Sequence, residues 1–224
     1  CCTFTAFKIR NEAVSMGKLN VPNKLTLLRI ILIPFFVGFV LVENVTSSSG
    51  LILTCHIAAF VVFVVAALTD MLDGYLARRD GLITNFGKLM DPLADKLLTM
   101  SAFVAFVELN LGPRQPVFPA WAIIVILARE FLVTGLRMLA LERGRLIQAD
   151  HLGKHKTISQ LVGICIVLAA LCVRDWMRFV RSPSLRYCEE ILPFLFAAIL
   201  IVIVSLTVVS GIQYLWKNRD LLSE

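Results

Sequence analysis

Charge is what this chain has least of. Asp, Glu, Lys and Arg make up 17% of its 224 residues, where an ordinary soluble domain carries about 25%. Hydrophobic residues reach 58% and mean hydropathy is +0.81. That balance excludes a large soluble core with a wetted surface and predicts a polytopic membrane protein. No C-x-x-C pair occurs among Cys1, Cys2, Cys55, Cys165, Cys172 and Cys188, and three of the six fall in apolar runs. They read as small apolar fillers, not as a metal or redox motif. No internal repeat is visible, and the short Ser run at 47–49 is the only low-complexity tract. One membrane domain over 21–224 therefore accounts for the chain, preceded by an extension or juxtamembrane segment over 1–20. The net charge of +6 suits a surface against anionic lipid, and nothing points to nucleic acid.

What is present is apolar length. Six runs are candidate membrane helices: 25–42, 51–69, 93–111, 117–140, 158–173 and 191–215. The fold class expected is all-α, with six transmembrane helices and both termini cytoplasmic. Lys24 and Arg29 flank or enter a first run long enough to cross, which argues for a retained helix over a cleaved signal. Basic residues set the orientation. Lys8, Arg10, Lys18, Lys24 and Arg29 hold the N-terminal side inside, whereas ENVTSSSG at 43–50 has no Lys or Arg. Arg78, Arg79 and Lys88 return the next connection to the inside, as do Arg143, Arg145, Lys154 and Lys156, then Lys217 and Arg219. One connection disagrees: Arg174, Arg178, Arg181 and Arg186 would face outward by alternation. His56, inside the second run, reads as a packing residue with satisfied polar contacts rather than a ligand.

Acidic residues are scarce, yet five aspartates crowd the stretch TDMLDGYLARRDGLITNFGKLMDPLADK at 69–96. Asp70 and Asp73 lie three residues apart at the end of the second run, and Asp91 and Asp95 four apart at the start of the third. On helices either spacing puts both side chains on one face. The glycines and asparagine of RDGLITNFG allow a turn that brings the helices together antiparallel. Four carboxylates at one level would repel one another, and each charge near hydrocarbon is costly. Divalent cations relieve both problems. Hard oxygen ligands without Cys or His favour Mg²⁺ or Mn²⁺ over zinc, and four carboxylates can hold two ions. For a lone aspartate the plainer reading is a solvated interfacial charge paired with Arg78, Arg79, Lys88 or Lys96. Asp80 is such a turn residue.

The whole pattern is D-x2-D-G-x2-A-R-x8-G-x3-D-x3-D, carried by Asp70, Asp73, Gly74, Ala77, Arg78, Gly87, Asp91 and Asp95. Chance would produce it in on the order of one chain in 10⁷. This signature resembles that of the CDP-alcohol phosphotransferases, with every position and gap in place. The resemblance implies a six-helix membrane enzyme, commonly a homodimer, with its site at the cytoplasmic face of the inner membrane. Such enzymes move a substituted phosphoryl group from a CDP-linked donor to an alcohol and release CMP. Asp70, Asp73 and Asp91 are then implied metal ligands, with Asp95 beside the second ion and acting as general base. Gly74, Ala77, Arg78 and Gly87 are implied on the CDP donor, the small residues letting the nucleotide lie close against the helix.

Three further stretches resemble the bacterial phosphatidylglycerophosphate synthase subfamily: VPNKLTLLRIILIPFF at 21–36, AREFLVTGLR at 128–137 and GKHKT at 153–157. Asn23 and Thr26 are implied on the donor, although after Pro22 they equally suit a polar helix N-terminus. Arg129 and Arg137 stand eight residues apart, about two turns along one helix face. With Lys154 and Lys156 they would make an anion pocket for the phosphate of sn-glycerol 3-phosphate. Snorkelling to the headgroups is the plainer reading for Lys154 and Lys156, and ion pairing for Glu130. The expectation is phosphatidyl transfer from CDP-diacylglycerol to sn-glycerol 3-phosphate. Other acceptors (inositol or its phosphate, serine, phosphatidylglycerol) stay open. An intramembrane prenyltransferase is disfavoured because the signature aspartates fill one short window. A cation transporter is disfavoured because they lie at helix ends rather than mid-bilayer.

Overall fold

In a bilayer a backbone must satisfy its own polar groups, and apolar runs this long do so as helices. The computed structural model describes residues 21–80, 85–112, 115–142 and 151–219; within them, side chains are described except at 21–26, 70–80, 85–95, 112, 141–142, 151–152 and 154. Six helices carry the described chain: α1 Val21–Val40, α2 Ser49–Asp80, α3 Asn85–Glu108, α4 Ala120–Glu142, α5 His151–Phe179 and α6 Leu185–Lys217. A 3₁₀ turn, Leu41–Asn44, follows α1. The all-α expectation needs one small amendment. Between α3 and α4 the chain makes a two-stranded antiparallel hairpin, β1 Asn110–Gly112 with β2 Gln115–Pro116.

Among the described residues, four helical segments are long and apolar enough to cross a membrane: Leu27–Asn44, Ser49–Thr69, His155–Phe179 and Leu185–Lys217. The third and fourth expected spans are present as helices α3 and α4, and α4 carries Arg129, Glu130 and Arg137 within its length. Outward positions are apolar as lipid contact requires; on α6 these include Ile201, Val202, Ile212 and Trp216.

The core is built by α1 packing against both α2 and α3, α2 against α5, α5 against α6, and α4 against α6. Phe36 and Phe63 join α1 to α2 with ring centroids 5.7 Å apart, and Phe106 meets Phe118 edge-on at 5.5 Å below the hairpin. At the α5–α6 crossing Gly163 is required by sterics. A Cβ there would stand 2.7 Å from Ile203 Cδ1 and 3.0 Å from Ile199 Cγ2. Helix α5 ends where Arg181 takes a left-handed conformation (φ 54°) and Ser182 N–H donates to the Met177 carbonyl at 2.9 Å, a helix-terminating pattern usually given to glycine.

Two of the four arginines that disagreed with the charge rule, Arg174 and Arg178, are paired in the tertiary structure. Arg174 donates to Glu43 Oε2 at 2.6 Å and to Asp175 Oδ1, while Arg178 reaches Glu43 Oε1 at 2.8 Å and Glu189 Oε1 at 3.1 Å. Glu43 comes from the turn after α1, far away in sequence.

Candidate active site

The signature divides between two helices as its spacing requires. Asp70, Asp73, Gly74, Ala77 and Arg78 lie on α2, and Gly87, Asp91 and Asp95 on α3. Both aspartate pairs are therefore at helical spacing on observed helices, three and four residues apart, which puts each pair on one face. The side chains of these eight residues lie outside the described residues, as do those of Asn23 and Thr26 on the opening turns of α1 and of Lys154 on α5. Arg29, read from sequence as an orienting charge, is 2% exposed and sits inside the bundle.

One residue beyond Asp95, the description resumes. Lys96 donates its ammonium to Thr134 Oγ1 on α4, so α4 meets α3 at the level of the second aspartate pair. Thr134 lies between Arg129 and Arg137, and its hydroxyl also donates to the Glu130 carbonyl at 2.7 Å. The expected basic residues gather on this segment. Lys156 of α5, 2% exposed, makes an ion pair with Glu130. That overturns the snorkelling reading for Lys156: its charge is held in the bundle interior. Arg129 Nη1 stands 3.6 Å from the same Glu130 carboxylate, and its Nη2 donates to Ser210 Oγ of α6 at 2.6 Å. Arg137, exposed, stacks over the Tyr214 ring at 5.8 Å. Three of the four expected cations thus flank one region where α4, α5 and α6 meet, beside the helix that carries Asp91 and Asp95. Buried charges in such a place mark a substrate path more often than a structural element.

A family model described as CDP-alcohol phosphatidyltransferase matches residues 19–209. The chain belongs to that family. It is a membrane transferase, and the aspartate signature falls inside the matched region. Three similar proteins extend the likeness over nearly all of it. A "CDP-diacylglycerol--glycerol-3-phosphate 3-phosphatidyltransferase" of Bacillus subtilis is 39% identical over 208 residues, covering 91% of this chain and 97% of the relative. A protein of the same name from Escherichia coli K12 is 36% identical, covering 92% and 98%. A "probable phosphatidylglycerophosphate synthase" of Mycobacterium tuberculosis is 34% identical, covering 90% and 83%.

A second group of possible metal ligands lies elsewhere in this CDP-alcohol phosphatidyltransferase. Glu43, His56 and Asp175 bring ligand atoms within 4.8 Å of one another. Arg174 and Arg178 already pair with its carboxylates. Guanidinium charge there does what a cation would do. His56 is a satisfied buried residue, as its sequence context suggested. Its Nδ1 faces Asp175 Oδ2 at 2.5 Å and its Nε2 faces the Val40 carbonyl at 3.0 Å.

The ion pairing expected of Glu130 is present, with Lys156 as well as Arg129; the residues that sequence reasoning passed over are Ser210 and Tyr214 on α6. The signal for the α6 pair is a periodic one. Its buried face runs Leu192, Phe196, Leu200, Ile203 and then Thr207, Ser210, Gly211, Tyr214, turning from apolar to polar halfway along.

Proposed function

We propose that the chain transfers the phosphatidyl group of CDP-diacylglycerol to sn-glycerol 3-phosphate, giving phosphatidylglycerophosphate and CMP, a step of phospholipid synthesis. The observation that carries this reading is the near full-length likeness to two relatives that bear that activity's name. The aspartate signature and the cations around Glu130 support it chemically. The donor set, four carboxylates on two helices and no softer ligand, suits two Mg²⁺ or Mn²⁺ ions. Asp70, Asp73, Asp91 and Asp95 would hold them, and when bound they neutralise the diphosphate and the departing CMP.

The residues of the chain do the rest. Arg129, Arg137, Lys154 and Lys156 bind the acceptor's phosphate and so fix its primary hydroxyl near α3. Asp95 accepts that hydroxyl's proton as the oxygen attacks the phosphatidyl phosphorus. A new P–O bond forms, the bond to the CMP oxygen breaks, and CMP carries off the electron pair. A carboxylate beside cations is a weak base for a free alcohol, so positioning and partial proton transfer share the work. Gly74, Ala77, Arg78, Gly87, Asn23 and Thr26 seat the cytidine end of the donor. The acyl chains stay in the bilayer.

The same reading carries six membrane crossings, with the active site and both termini on the cytoplasmic face of the inner membrane. Helices α3 and α4, of 24 and 23 residues, are about 35 Å long, enough for a hydrocarbon core of about 30 Å. Pairing of Arg174 and Arg178 with Glu43, Asp175 and Glu189 supports an outward α5–α6 turn by offsetting two of its four positive charges. A cysteine at exposed Ser184 that reacts only with reagents from the cytoplasmic side defeats this topology. The homodimer implied by the resemblance belongs to the same proposal, and crosslinking in native membranes tests it.

The deciding experiment is CMP release by purified protein from CDP-diacylglycerol across a panel of acceptors, with Mg²⁺ and Mn²⁺ titrated. Release with sn-glycerol 3-phosphate is expected. Release only with inositol phosphate, serine or phosphatidylglycerol moves the chain to another acceptor within the family.

A further inference from the structure

A helix that crosses lipid has little reason to bury hydroxyls, and α6 buries three. Thr207, Ser210 and Tyr214 are 0%, 6% and 5% exposed, and with Gly211 they occupy i, i+3, i+4 and i+7, one face of the helix. Outward neighbours Val208, Val209, Ile212 and Trp216 are exposed and apolar. The polar stripe therefore looks into the bundle, where such groups are expensive unless they serve a site.

What it meets is specific. Ser210 Oγ accepts from Arg129 Nη2 at 2.6 Å, and the aliphatic stem of Arg129 lies on Gly211, where a Cβ would stand 3.0 Å from Arg129 Cγ. One turn further along, the Tyr214 ring lies under the Arg137 guanidinium. The order along both helices is the same, so α4 and α6 run parallel here and each arginine has its own seat. Across the bundle, Gly163 of α5 packs on Ile203 of α6. Those two helices are in extensive contact, and on α5 Gln160 and Lys156 are buried about one and two turns before Gly163. Among the described residues, buried Gln160 Nε2, Thr207 Oγ1, Tyr214 Oη and Arg129 Nε have no hydrogen-bond partner. Polar capacity is left over along the wall that holds the cations, as expected where a polar ligand completes the hydrogen bonds.

We propose that α6 forms the far wall of the acceptor-phosphate pocket, with Ser210 and Tyr214 as positioning residues that aim Arg129 and Arg137 at the phosphate. This rests on the acceptor reading above and adds to it a helix that lies outside the three subfamily-like stretches at 21–36, 128–137 and 153–157. A guanidinium has five donors in a rigid fork, and bidentate phosphate contact needs that fork oriented before the ligand arrives. Ser210 takes one donor of Arg129 and Gly211 lets its stem lie flat. The Tyr214 face holds Arg137 by its π-cloud and leaves all its N–H groups for the anion.

The test measures steady-state KM for each substrate, by CMP release, in Ser210→Ala, Ser210→Thr, Tyr214→Leu and Tyr214→Phe, alongside thermal unfolding in detergent. Losing one charge-assisted hydrogen bond or one stacking face should raise KM for sn-glycerol 3-phosphate roughly tenfold, with KM for CDP-diacylglycerol and the unfolding temperature held. Ser210→Thr and Tyr214→Phe, which keep the hydroxyl and the ring, should recover most of the loss. If Ser210→Ala does not fold, Gly211→Ala, which displaces the Arg129 stem, is measured in its place with the same expectation. The proposal is overturned if acceptor KM stays within about twofold of wild type, or if both KM values rise together without rescue. Wild-type protein that releases no CMP with sn-glycerol 3-phosphate defeats the acceptor reading instead, a result distinct from any behaviour of the variants.

Discussion

His56 of α2 and Asp175 of α5, 119 residues apart in sequence, meet at 2.5 Å with both side chains 1% exposed. The second ring nitrogen faces the Val40 carbonyl. Both ring nitrogens thus face oxygen atoms of other helices. With Arg174, Arg178, Glu43 and Glu189, the pair closes a clasp of six ionisable side chains that ties α1, α2, α5 and α6 at one end of the bundle. Asp175→Ala leaves His56 and Arg174 buried without that carboxylate. It should lower stability by about 3–5 kcal/mol, read as a fall in unfolding temperature in detergent. Activity per folded molecule should hold, because His56 and Asp73 are about 25 Å apart along α2. Wild-type stability would show that the clasp contributes nothing.

Asp95→Asn keeps the size of the side chain and removes its capacity to take a proton. Transfer should drop by about 10²–10⁴-fold while the unfolding temperature stays near wild type. Activity close to wild type would remove Asp95 from the role of base.

EDTA should abolish CMP release, and Mg²⁺ or Mn²⁺ should restore it. Substituting Asp70, Asp73 or Asp91 by Asn should raise the metal concentration needed for half-maximal activity. Full activity in EDTA would exclude the proposed role of the carboxylates.

Lys156 is buried against Glu130. Lys156→Gln removes a cation from the acceptor's phosphate and should raise KM for sn-glycerol 3-phosphate by roughly tenfold or more. KM for CDP-diacylglycerol should be unaffected. An equal rise in both constants would place Lys156 outside the acceptor site.

Gly163→Ala puts a methyl against Ile203 and Ile199 and should destabilise by about 1–3 kcal/mol. Ile203→Val deletes the Cδ1 atom at 2.7 Å and should recover part of the loss in the double variant. Additive losses in the thermal melts would show that the two residues do not share this contact.

Much of the protein was legible in its sequence because the governing forces there are local. Apolar runs predicted helices where α1 to α6 stand, since lipid leaves the backbone no other partner. The hairpin at 110–116 escaped notice, being too short to leave a period. Spacing in the aspartate signature placed Asp70 and Asp73 on one helix and Asp91 and Asp95 on the next, because side-chain direction on a helix follows residue number.

Pairing between helices has no such local rule. The sequence by itself determined the family, the helical architecture and the placing of the signature aspartates on two helices. Only the tertiary structure decided that the Arg174 and Arg178 charges are cancelled by Glu43, that Lys156 is buried against Glu130 instead of snorkelling, and that Ser210 and Tyr214 seat the two arginines of α4. The reason is physical. A charge or hydroxyl in a membrane helix must find a partner, but nothing in the order of residues says which helix supplies it until the helices pack.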